Sequence, residues 1–406
     1  MKVSERVLNF QESVTLKLNA EVVKMQEHGQ KVINLTAGQL PFKPDHEFIK
    51  NIKQESNFLK SFQYSPVAGF PELRDKIKSW SSEQRRVSLD DKDVIISSGA
   101  KHVISNVLCS LINPGDEVII IAPYWVSYPA MINLFGGVTK VVNSDFYDHY
   151  CPDIDGVKAA ITNKTKAIIV NSPNNPVGTV YKSEWMESFA SLMKDHPNIN
   201  LISDEIYKEL NYYDPEPSYF YQSEPELLDR TIIISGISKI MASTGLRIGW
   251  AIGPKSFIKK VSTLQGQTTS GASSLVQLAL LNYDFNLLDN YLDPIKNHLR
   301  KNANTLRDKL RENNLAHKWY QVDGAFYYLL DLRNLPIMDH LKNGDDNGDY
   351  ATEVCQKILA DAGVAMVPGS DFGAPNTARL SLVANNEIFS EAIQKIIECV
   401  LKKKVN

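Results

Sequence analysis

Lys239 is the residue in this sequence best placed for covalent chemistry. It closes the string Ser235-Gly236-Ile237-Ser238-Lys239, which follows the apolar run Ile232-Ile233-Ile234, and Arg247 comes shortly after it. A lysine at the end of a strand can form a Schiff base with an aldehyde if its surroundings lower its pKa. Hydroxyl groups and a guanidinium nearby would suit a phosphate. A solvated surface lysine is the ordinary interpretation of an isolated Lys, so the neighbouring strings must decide.

A second string compatible with a phosphate is Ser97-Ser98-Gly99-Ala100-Lys101, between an apolar run and a helical period. Small residues there let backbone N–H groups approach an anion, and a helix N-terminus favours negative charge. The chain has neither GxxxxGK[ST] nor GxGxxG at such a junction, which disfavours a nucleoside triphosphate or a dinucleotide. A plain tight turn is the alternative.

Two further polar strings follow apolar runs. Asn171 to Gly178 combines two prolines and a glycine in a rigid turn, which could aim a side-chain amide at a ligand. Asp204, within Ser203 to Tyr207, is a carboxylate among apolar residues and needs a partner to remain ionised. A protonated pyridine nitrogen would be such a partner, whereas a helix N-cap is the common role of a lone Asp.

The elements that must position these residues alternate short apolar runs with helical periods. The runs predicted as strands are 94–96, 118–121, 167–170, 201–203, 231–234 and 248–251, and a helix is expected over 101–111. Apolar strands separated by helices predict an α/β fold with a mostly parallel sheet covered on both faces. Ligands of such sheets lie outside the carboxyl ends of the strands, where the polar strings stand.

From about residue 295 the pattern changes to a long charged helix and then to the alternating segment 325–330, which indicates a smaller α+β unit. We therefore expect a large domain over 47–299 and a small domain formed by 1–46 and 300–406.

Composition narrows the class of protein. The chain has 406 residues, 43% of them hydrophobic, and a net charge of −3, which gives no electrostatic reason to expect a nucleic acid or membrane partner. Its four cysteines are far apart and form no CxxC pair, so neither a disulfide framework nor a metal cluster is expected. No secretory signal or membrane helix is recognisable, and the expected location is the cytoplasm.

In this order, the strings resemble the class I aminotransferases among the fold-type I pyridoxal-phosphate enzymes, nearest to bacterial aspartate and aspartate/prephenate aminotransferases. The resembling stretches are 35–38, 64–69, 71–74, 123–129, 171–178, 203–207, 238–249 and 378–381. The resemblance implies the family's fold, a mostly parallel seven-stranded sheet in a large domain with a smaller α+β domain.

The resemblance also implies roles around the cofactor's ring. Lys239 would carry pyridoxal phosphate covalently and later move the proton at the substrate α-carbon. Asp204 would pair with the pyridinium nitrogen. Asn175 and Tyr207 would hydrogen-bond the phenolic oxygen, and Trp125 would stack on the ring.

Phosphate and substrate contacts are implied in the same way. The phosphate would be surrounded by Gly99, Ala100, Lys101, Ser238 and Arg247, and by Tyr64 of the neighbouring subunit in a homodimer with shared sites. Arg379 would bind the substrate α-carboxylate through bidentate geometry. The backbone at Gly38 would close over a substrate that Trp125 and Asn175 also contact. Lys101 would bind the distal carboxylate of an acidic substrate.

The expected reaction is a ping-pong exchange of the amino group between aspartate and 2-oxoglutarate. One departure from the subgroup leaves the amino donor open: Gln39-Leu40-Pro41-Phe42 stands where an acidic residue, Pro, Asp and Phe are usual. Prephenate, aromatic or other neutral donors are therefore alternatives. A carbon–sulfur lyase or an aminocyclopropane carboxylate synthase shares the fold and the lysine. A transcriptional regulator would need an added DNA-binding unit, and none is recognisable.

Overall fold

A computed structural model describes residues 1–8, 14–213, 216–341 and 348–402, and its centre is a seven-stranded sheet. The strands are β2 (Lys92–Ser97), β3 (Glu117–Ile121), β4 (Val138–Val142), β5 (Thr165–Asn171), β6 (Asn200–Asp204), β7 (Thr231–Gly236) and β8 (Gly249–Pro254). Their order is β2-β8-β7-β6-β5-β3-β4. Only β8 runs antiparallel to its neighbours, so the sheet is mostly parallel, as the sequence predicts.

Most of these strands are buried on both faces, which explains their near-continuous apolar sequences. The exception is β4, a strand that the sequence analysis did not identify. It lies at the edge of the sheet and is partly exposed, with Thr139 and Lys140 between its valines. An edge strand needs no continuous apolar run.

Helices cover both faces of this sheet. They are α3 (His46–Glu55), α4 (Pro71–Arg85), α5 (Ala100–Leu111), α6 (Ser127–Leu134), α7 (Ile154–Ala160), α8 (Ser183–Lys194), α9 (Phe220–Ser223), α10 (Ile237–Ile240), α11 (Lys255–Thr268) and α12 (Ser274–Leu281). The apolar positions of α5 (Val103, Ile104, Val107 and Leu108) are buried against the sheet. This packing fixes the helix N-terminus directly after Gly99.

The C-terminal part forms smaller sheets. It contains α13 (Leu288–Glu312), β9 (Tyr327–Asp331), α14 (Ala351–Ala362), β10 (Val364–Ala365), β11 (Val367–Pro368), β12 (Thr377–Ser381) and α15 (Asn386–Val400). Strand β12 lies between β11 and β9, antiparallel to both. The N-terminal elements are α1 (Glu5–Leu8), α2 (Val14–Glu27) and β1 (Ile33–Asn34), and β1 pairs with β10.

The boundary predicted near residue 300 falls inside α13, a continuous helix of 25 residues. The division into 47–299 and 1–46 with 300–406 therefore stays a prediction. One large cluster of buried apolar residues includes side chains from both parts of the chain. No helix in the described ranges is long and apolar enough to span a membrane.

Candidate active site

A cavity of about 410 Å³ lies at the carboxyl ends of the parallel strands, between the large sheet and β9 and β12. Strand ends supply Asn171 and Asp204, and the loops and short helices after them supply Asn175, Tyr207 and Lys239. The N-terminus of α5 contributes Ala100 and Lys101. The position agrees with the rule that ligands of α/β sheets bind beyond the strand ends.

Lys239 extends from α10 into this cavity. Its Nζ donates a hydrogen bond to the Gly38 carbonyl at 2.6 Å and lies 5.4 Å from the centre of the Phe326 ring. Burial lowers the pKa of Lys239 to about 7, and the charges of Arg379 and Arg247 act in the same direction. Near neutral pH a large fraction of this amine is therefore unprotonated and able to attack a carbonyl carbon.

Asp204 lies deep in the cavity at the end of β6. Burial raises the pKa of its carboxyl to about 6, and a hydrogen bond from Tyr128 opposes the rise. The Tyr128 hydroxyl donates to Asp204 Oδ2 at 2.5 Å. A cation in the cavity would stabilise the charged form of a carboxylate this deeply buried.

Tyr207 follows Asp204 closely in the sequence, and its side chain is also buried. Burial raises the pKa of Tyr207 well above its ordinary value, and the adjacent Tyr327 hydroxyl adds to the effect. The phenol therefore keeps its proton and can donate it in a hydrogen bond.

Asn175 and Arg379 meet on the opposite wall. Arg379 Nη1 donates to Asn175 Oδ1 at 3.1 Å, and Nη2 donates to the Thr36 carbonyl at 3.1 Å. The Asn175 backbone N–H donates to Asn171 Oδ1, which fixes the backbone of the turn after β5 at this position. Arg379 Nε is buried without a hydrogen-bond partner among the described residues, which leaves a donor for a carboxylate.

Gly99 and Ala100, at the N-terminus of α5, form a cradle with Arg247 on another side of the cavity. Gly99 has φ +90°, and a Cβ added to it would collide with the Arg247 guanidinium. Arg247 itself is left-handed at φ 55°, and its guanidinium donates to the carbonyls of Thr244 and Ser98. Glycine is therefore required where the backbone approaches the cation most closely. Backbone N–H groups and a guanidinium together suit a phosphate.

Lys101 and Trp125 lie together on the cavity wall. Lys101 Nζ stands 5.0 Å from the centre of the Trp125 ring. Burial lowers the pKa of Lys101, and repulsion by Arg247 lowers it further. The structure gives Lys101 no carboxylate partner within the ranges it describes.

Most of the residues predicted from the sequence are brought to this cavity. Those that line it are Gly38, Ala100, Lys101, Trp125, Asn175, Asp204, Tyr207, Ser238, Lys239, Arg247 and Arg379. Gly99 borders it through its contact with Arg247. Tyr64 is not brought there by its own chain: its side chain is 93% exposed.

The donor set fits pyridoxal phosphate. The cavity offers a lysine with a lowered pKa for the aldehyde and a buried carboxylate for the ring nitrogen. It also offers hydrogen-bond donors at Asn175 and Tyr207, and the cradle at Gly99 and Arg247 for the phosphate. No group of three or more potential metal ligands occurs in the described part of the chain.

Sequence reasoning gave no role to three aromatic side chains at this site. Tyr128 lies within the string 123–129 and bonds Asp204. Its spacing from Trp125, whose ring it contacts, is the sequence signal that could have indicated a place at the site. Tyr327 and Phe372 flank Arg379, and their rings lie 4.5 Å and 4.8 Å from its guanidinium carbon. No sequence signal links them: the register of β9 and β12 places Tyr327 beside Arg379, and Phe372 ends a short helical turn that precedes β12.

Comparison with known proteins gives one consistent result. Residues 30–396 match the model of the family described as aminotransferase class I and II. The chain is 34% identical over 398 residues to the aspartate/prephenate aminotransferase of Thermus thermophilus, covering 97% of each chain. It is 32% identical over 401 residues to an asparagine–oxo-acid transaminase of Streptococcus mutans, covering 97% of this chain and 98% of that one.

A solved structure of the Thermus thermophilus aspartate aminotransferase with maleate superposes with a TM-score of 0.87 at 32% identity. It covers 98% of this chain and 100% of that one.

Proposed function

Because this chain belongs to the class I and II aminotransferases, a family of pyridoxal-phosphate-dependent enzymes, we propose that its substrates are aspartate and 2-oxoglutarate. The two acids would bind alternately, each exchanging its amino or oxo group, so the kinetics would be ping-pong. Both substrates carry two carboxylates.

The proposal depends on one observation: besides Arg247, which we assign to the phosphate, two cations without carboxylate partners in the described structure line the same cavity as Lys239. Arg379 donates to an amide oxygen and a carbonyl oxygen, and Lys101 Nζ lies over the Trp125 ring. A dicarboxylate would supply a counter-charge to each. A substrate with a neutral side chain would leave the Lys101 ammonium unpaired in a closed site, which costs binding free energy.

The residues of the chain divide the remaining tasks. Pyridoxal phosphate, when bound, supplies the electron-withdrawing ring that stabilises the charge left at the substrate α-carbon. We assign its ring nitrogen to Asp204, its phenolic oxygen to Asn175 and Tyr207, one ring face to Trp125, and its phosphate to the set Gly99, Ala100, Lys101, Ser238 and Arg247. Tyr64 of a second copy would complete the phosphate site.

Lys239 would move the proton. Its Nζ, once free of the cofactor, is an amine whose pKa of about 7 lets it accept a proton from the α-carbon and return it at neutral pH. Arg379 would hold the α-carboxylate, and the Gly38 loop, whose carbonyl accepts from Lys239 Nζ, would cover the substrate.

A neutral or aromatic donor is the second candidate, and it also rests on an observation. Gln39 occupies the position at which the subgroup usually has an acidic residue, and its Oε1 accepts a hydrogen bond from the Thr244 hydroxyl at 3.1 Å. The loop that borders the substrate is thereby joined to the loop that holds Arg247. An amide in place of a carboxylate changes the loop that borders the substrate, so asparagine, prephenate or an aromatic amino acid are the alternatives to aspartate.

A panel of amino donors against 2-oxoglutarate tests the proposal. Aspartate should give the highest kcat/KM among aspartate, asparagine, phenylalanine and tyrosine, and cystathionine should release no ammonia or pyruvate. A higher kcat/KM for a neutral donor would replace aspartate by the second candidate. A colourless protein that stays unchanged on adding pyridoxal phosphate would contradict the cofactor assignment.

Substitution of Lys101 tests the assignment of the distal carboxylate. Lys101→Met keeps most of the aliphatic stem and removes the charge, so kcat/KM for aspartate should fall about 10- to 100-fold, the worth of one charge-assisted hydrogen bond. The value for phenylalanine should change little. Equal losses for both donors would show that Lys101 serves the phosphate or the fold and does not bind the distal carboxylate. Lys158→Met removes an exposed lysine of α7, outside the cavity and the 58–64 segment, and serves as the control.

A further inference from the structure

Tyr327 is a cavity residue that the proposed function leaves without a role. It is the first residue of β9, only 1% of its surface is exposed, and its side chain faces the cavity. Its ring and its hydroxyl touch two different groups of the site, which can be considered separately.

The ring supports the guanidinium of Arg379. Tyr327 pairs with Ser381 and Leu329 with Arg379, so Tyr327 and Arg379 are diagonal neighbours on one face of the small sheet. The guanidinium carbon lies 4.5 Å from the centre of the Tyr327 ring and 4.8 Å from that of Phe372. Two aromatic contacts restrict the guanidinium plane and stabilise its charge where burial disfavours it.

The hydroxyl reaches the other group. Tyr327 Oη lies 3.4 Å from Tyr207 Oη, and either atom could be the donor in this contact. If Tyr207 uses its proton on the phenolic oxygen of the cofactor, Tyr327 must be the donor to Tyr207. A hydrogen bond from Tyr327 to the Tyr207 oxygen polarises the Tyr207 hydroxyl. This strengthens the hydrogen bond that Tyr207 donates to the phenolic oxygen.

The backbone of Tyr327 is also held against the turn that carries Asn175. A Cβ added to Gly178 would collide with the Tyr327 carbonyl, so glycine at φ +79° permits this close approach. The position of the ring is thus set by β12 on one side and by the 174–178 turn on the other.

We infer that Tyr327 is a positioning residue with two separable tasks: its ring orients Arg379 for the substrate carboxylate, and its hydroxyl polarises Tyr207. This inference rests on the proposed function, since it assigns Arg379 to the carboxylate and Tyr207 to the cofactor. It gives one side chain a part in substrate binding and another in the electronic state of the ring.

Two variants separate the tasks in the protein loaded with pyridoxal phosphate. Tyr327→Phe removes only the hydroxyl, and Tyr327→Leu removes the ring as well. Phe372→Leu is the matched control for the hydroxyl task. It removes the other aromatic neighbour of Arg379 and leaves the contact between Tyr327 and Tyr207 intact. Thermal unfolding of each variant verifies that it is folded.

The first readout is the dissociation constant of maleate, a dicarboxylate that undergoes no transamination, from its effect on visible absorbance. Tyr327→Phe should change it less than twofold. Tyr327→Leu and Phe372→Leu should each weaken maleate binding roughly five- to tenfold, the size of a buried cation–π contact.

The second readout is the pH midpoint of the visible absorbance without maleate. A weaker hydrogen bond to the phenolic oxygen stabilises its anion less, so Tyr327→Phe and Tyr327→Leu should both raise the midpoint. Phe372→Leu should leave it unchanged. The titratable and charged groups that face Tyr207 are Tyr327, Arg379, Asp204, Tyr128 and Lys239, and all but Tyr327 are retained in every variant.

The outcomes distinguish this inference from the proposed function. A wild-type protein without visible absorbance after loading would overturn the cofactor assignment and the inference with it. If wild type absorbs and binds maleate while Tyr327→Phe leaves the midpoint unchanged, the hydroxyl task is wrong. If Phe372→Leu weakens maleate binding and a folded Tyr327→Leu does not, the ring task is wrong. Equal effects of Tyr327→Phe and Tyr327→Leu on both readouts would overturn the separation.

Discussion

At the scale of single residues, the site combines groups whose protonation states are shifted by the same low-polarity surroundings. Burial moves Lys239 toward its neutral form and Asp204 toward its protonated form. Each shift is partly opposed by the other group's charge, and further opposed at Asp204 by the Tyr128 hydroxyl. The protonation states of both groups therefore change close to neutral pH.

The depressed pKa of Lys239 predicts how its reactivity depends on pH. An amine attacks only when neutral, and a pKa lowered from 10.5 to about 7 brings the neutral form into the physiological range. In cofactor-free protein, labelling of Lys239 by an amine-directed reagent should rise about tenfold per pH unit below 7 and level off above about 8. Peptide mass spectrometry at each pH measures it.

Lys194 is the internal control for this measurement. The ion pair with Glu224 raises the pKa of Lys194, so its labelling should keep increasing above pH 10. A Lys239 profile that follows that of Lys194 would show that the cavity does not depress the pKa of Lys239.

The identity of the reactive residues could be predicted from the sequence because each one follows an apolar run within a recognisable string. Lys239, Asp204 and Asn175 all lie in the cavity. The contacts that tune them could not be predicted in the same way. The bond from Tyr128 to Asp204 joins α6 to β6, and the contact of Tyr327 with Arg379 depends on the register of β9 and β12. Neither leaves a local pattern.

At the scale of elements, the end of β6 carries two carboxylates with different surroundings. Asp204 faces the cavity, whereas Glu205 forms an ion pair with Arg85 of α4 at 2.7 Å, and neither side chain of the pair is exposed. Ser203 and Tyr221 donate to the other oxygen of Glu205. This cluster attaches α4 to the strand end behind the cavity.

Removal of one partner of that ion pair should destabilise the fold. Arg85→Met leaves the Glu205 charge buried without its cation and should lower the free energy of unfolding by about 3–5 kcal/mol. Urea unfolding measures this loss. The double variant Arg85→Met with Glu205→Leu should recover part of it, because no uncompensated charge remains. A single variant as stable as wild type would show that this ion pair does not stabilise the fold.

The strand pattern of the large sheet was predictable to the extent that strands are buried on both faces. The edge strand β4 escaped the analysis, since its sequence Val-Thr-Lys-Val-Val is neither a continuous apolar run nor a regular alternation of apolar and polar residues. The long helix α13 likewise gives no sequence sign of where a domain would end, as its pattern continues unchanged across residue 300.

At the scale of the whole molecule, the segment 58–64 carries apolar side chains that its own chain leaves largely uncovered. Phe58, Leu59, Phe62 and Tyr64 are all more than half exposed. Exposed apolar residues grouped in this way are typical of an interface. A homodimer in which this segment of one copy meets the cavity of the other would explain the exposure, and it is the arrangement we propose.

A mixing experiment tests whether sites are shared. Lys239→Ala and Tyr64→Ala should each have little activity alone. If Tyr64 acts in the partner's site, subunits mixed and reassociated should regain about a quarter of wild-type activity, because half of the dimers are hybrids with one intact site each. The ratio is read from kcat per subunit. Activity no greater than the sum of the separate variants would place Tyr64 outside the neighbouring site.

The origin of the cavity walls has a consequence for how the protein holds a substrate. The amine and the buried carboxylate follow strands of the large sheet, while Arg379 and Tyr327 stand on the small one. In the proposed arrangement, Arg379 therefore holds the α-carboxylate only while the two sheets are apposed. Separation of the sheets would weaken binding of the α-carboxylate and leave the amine and the buried carboxylate in place.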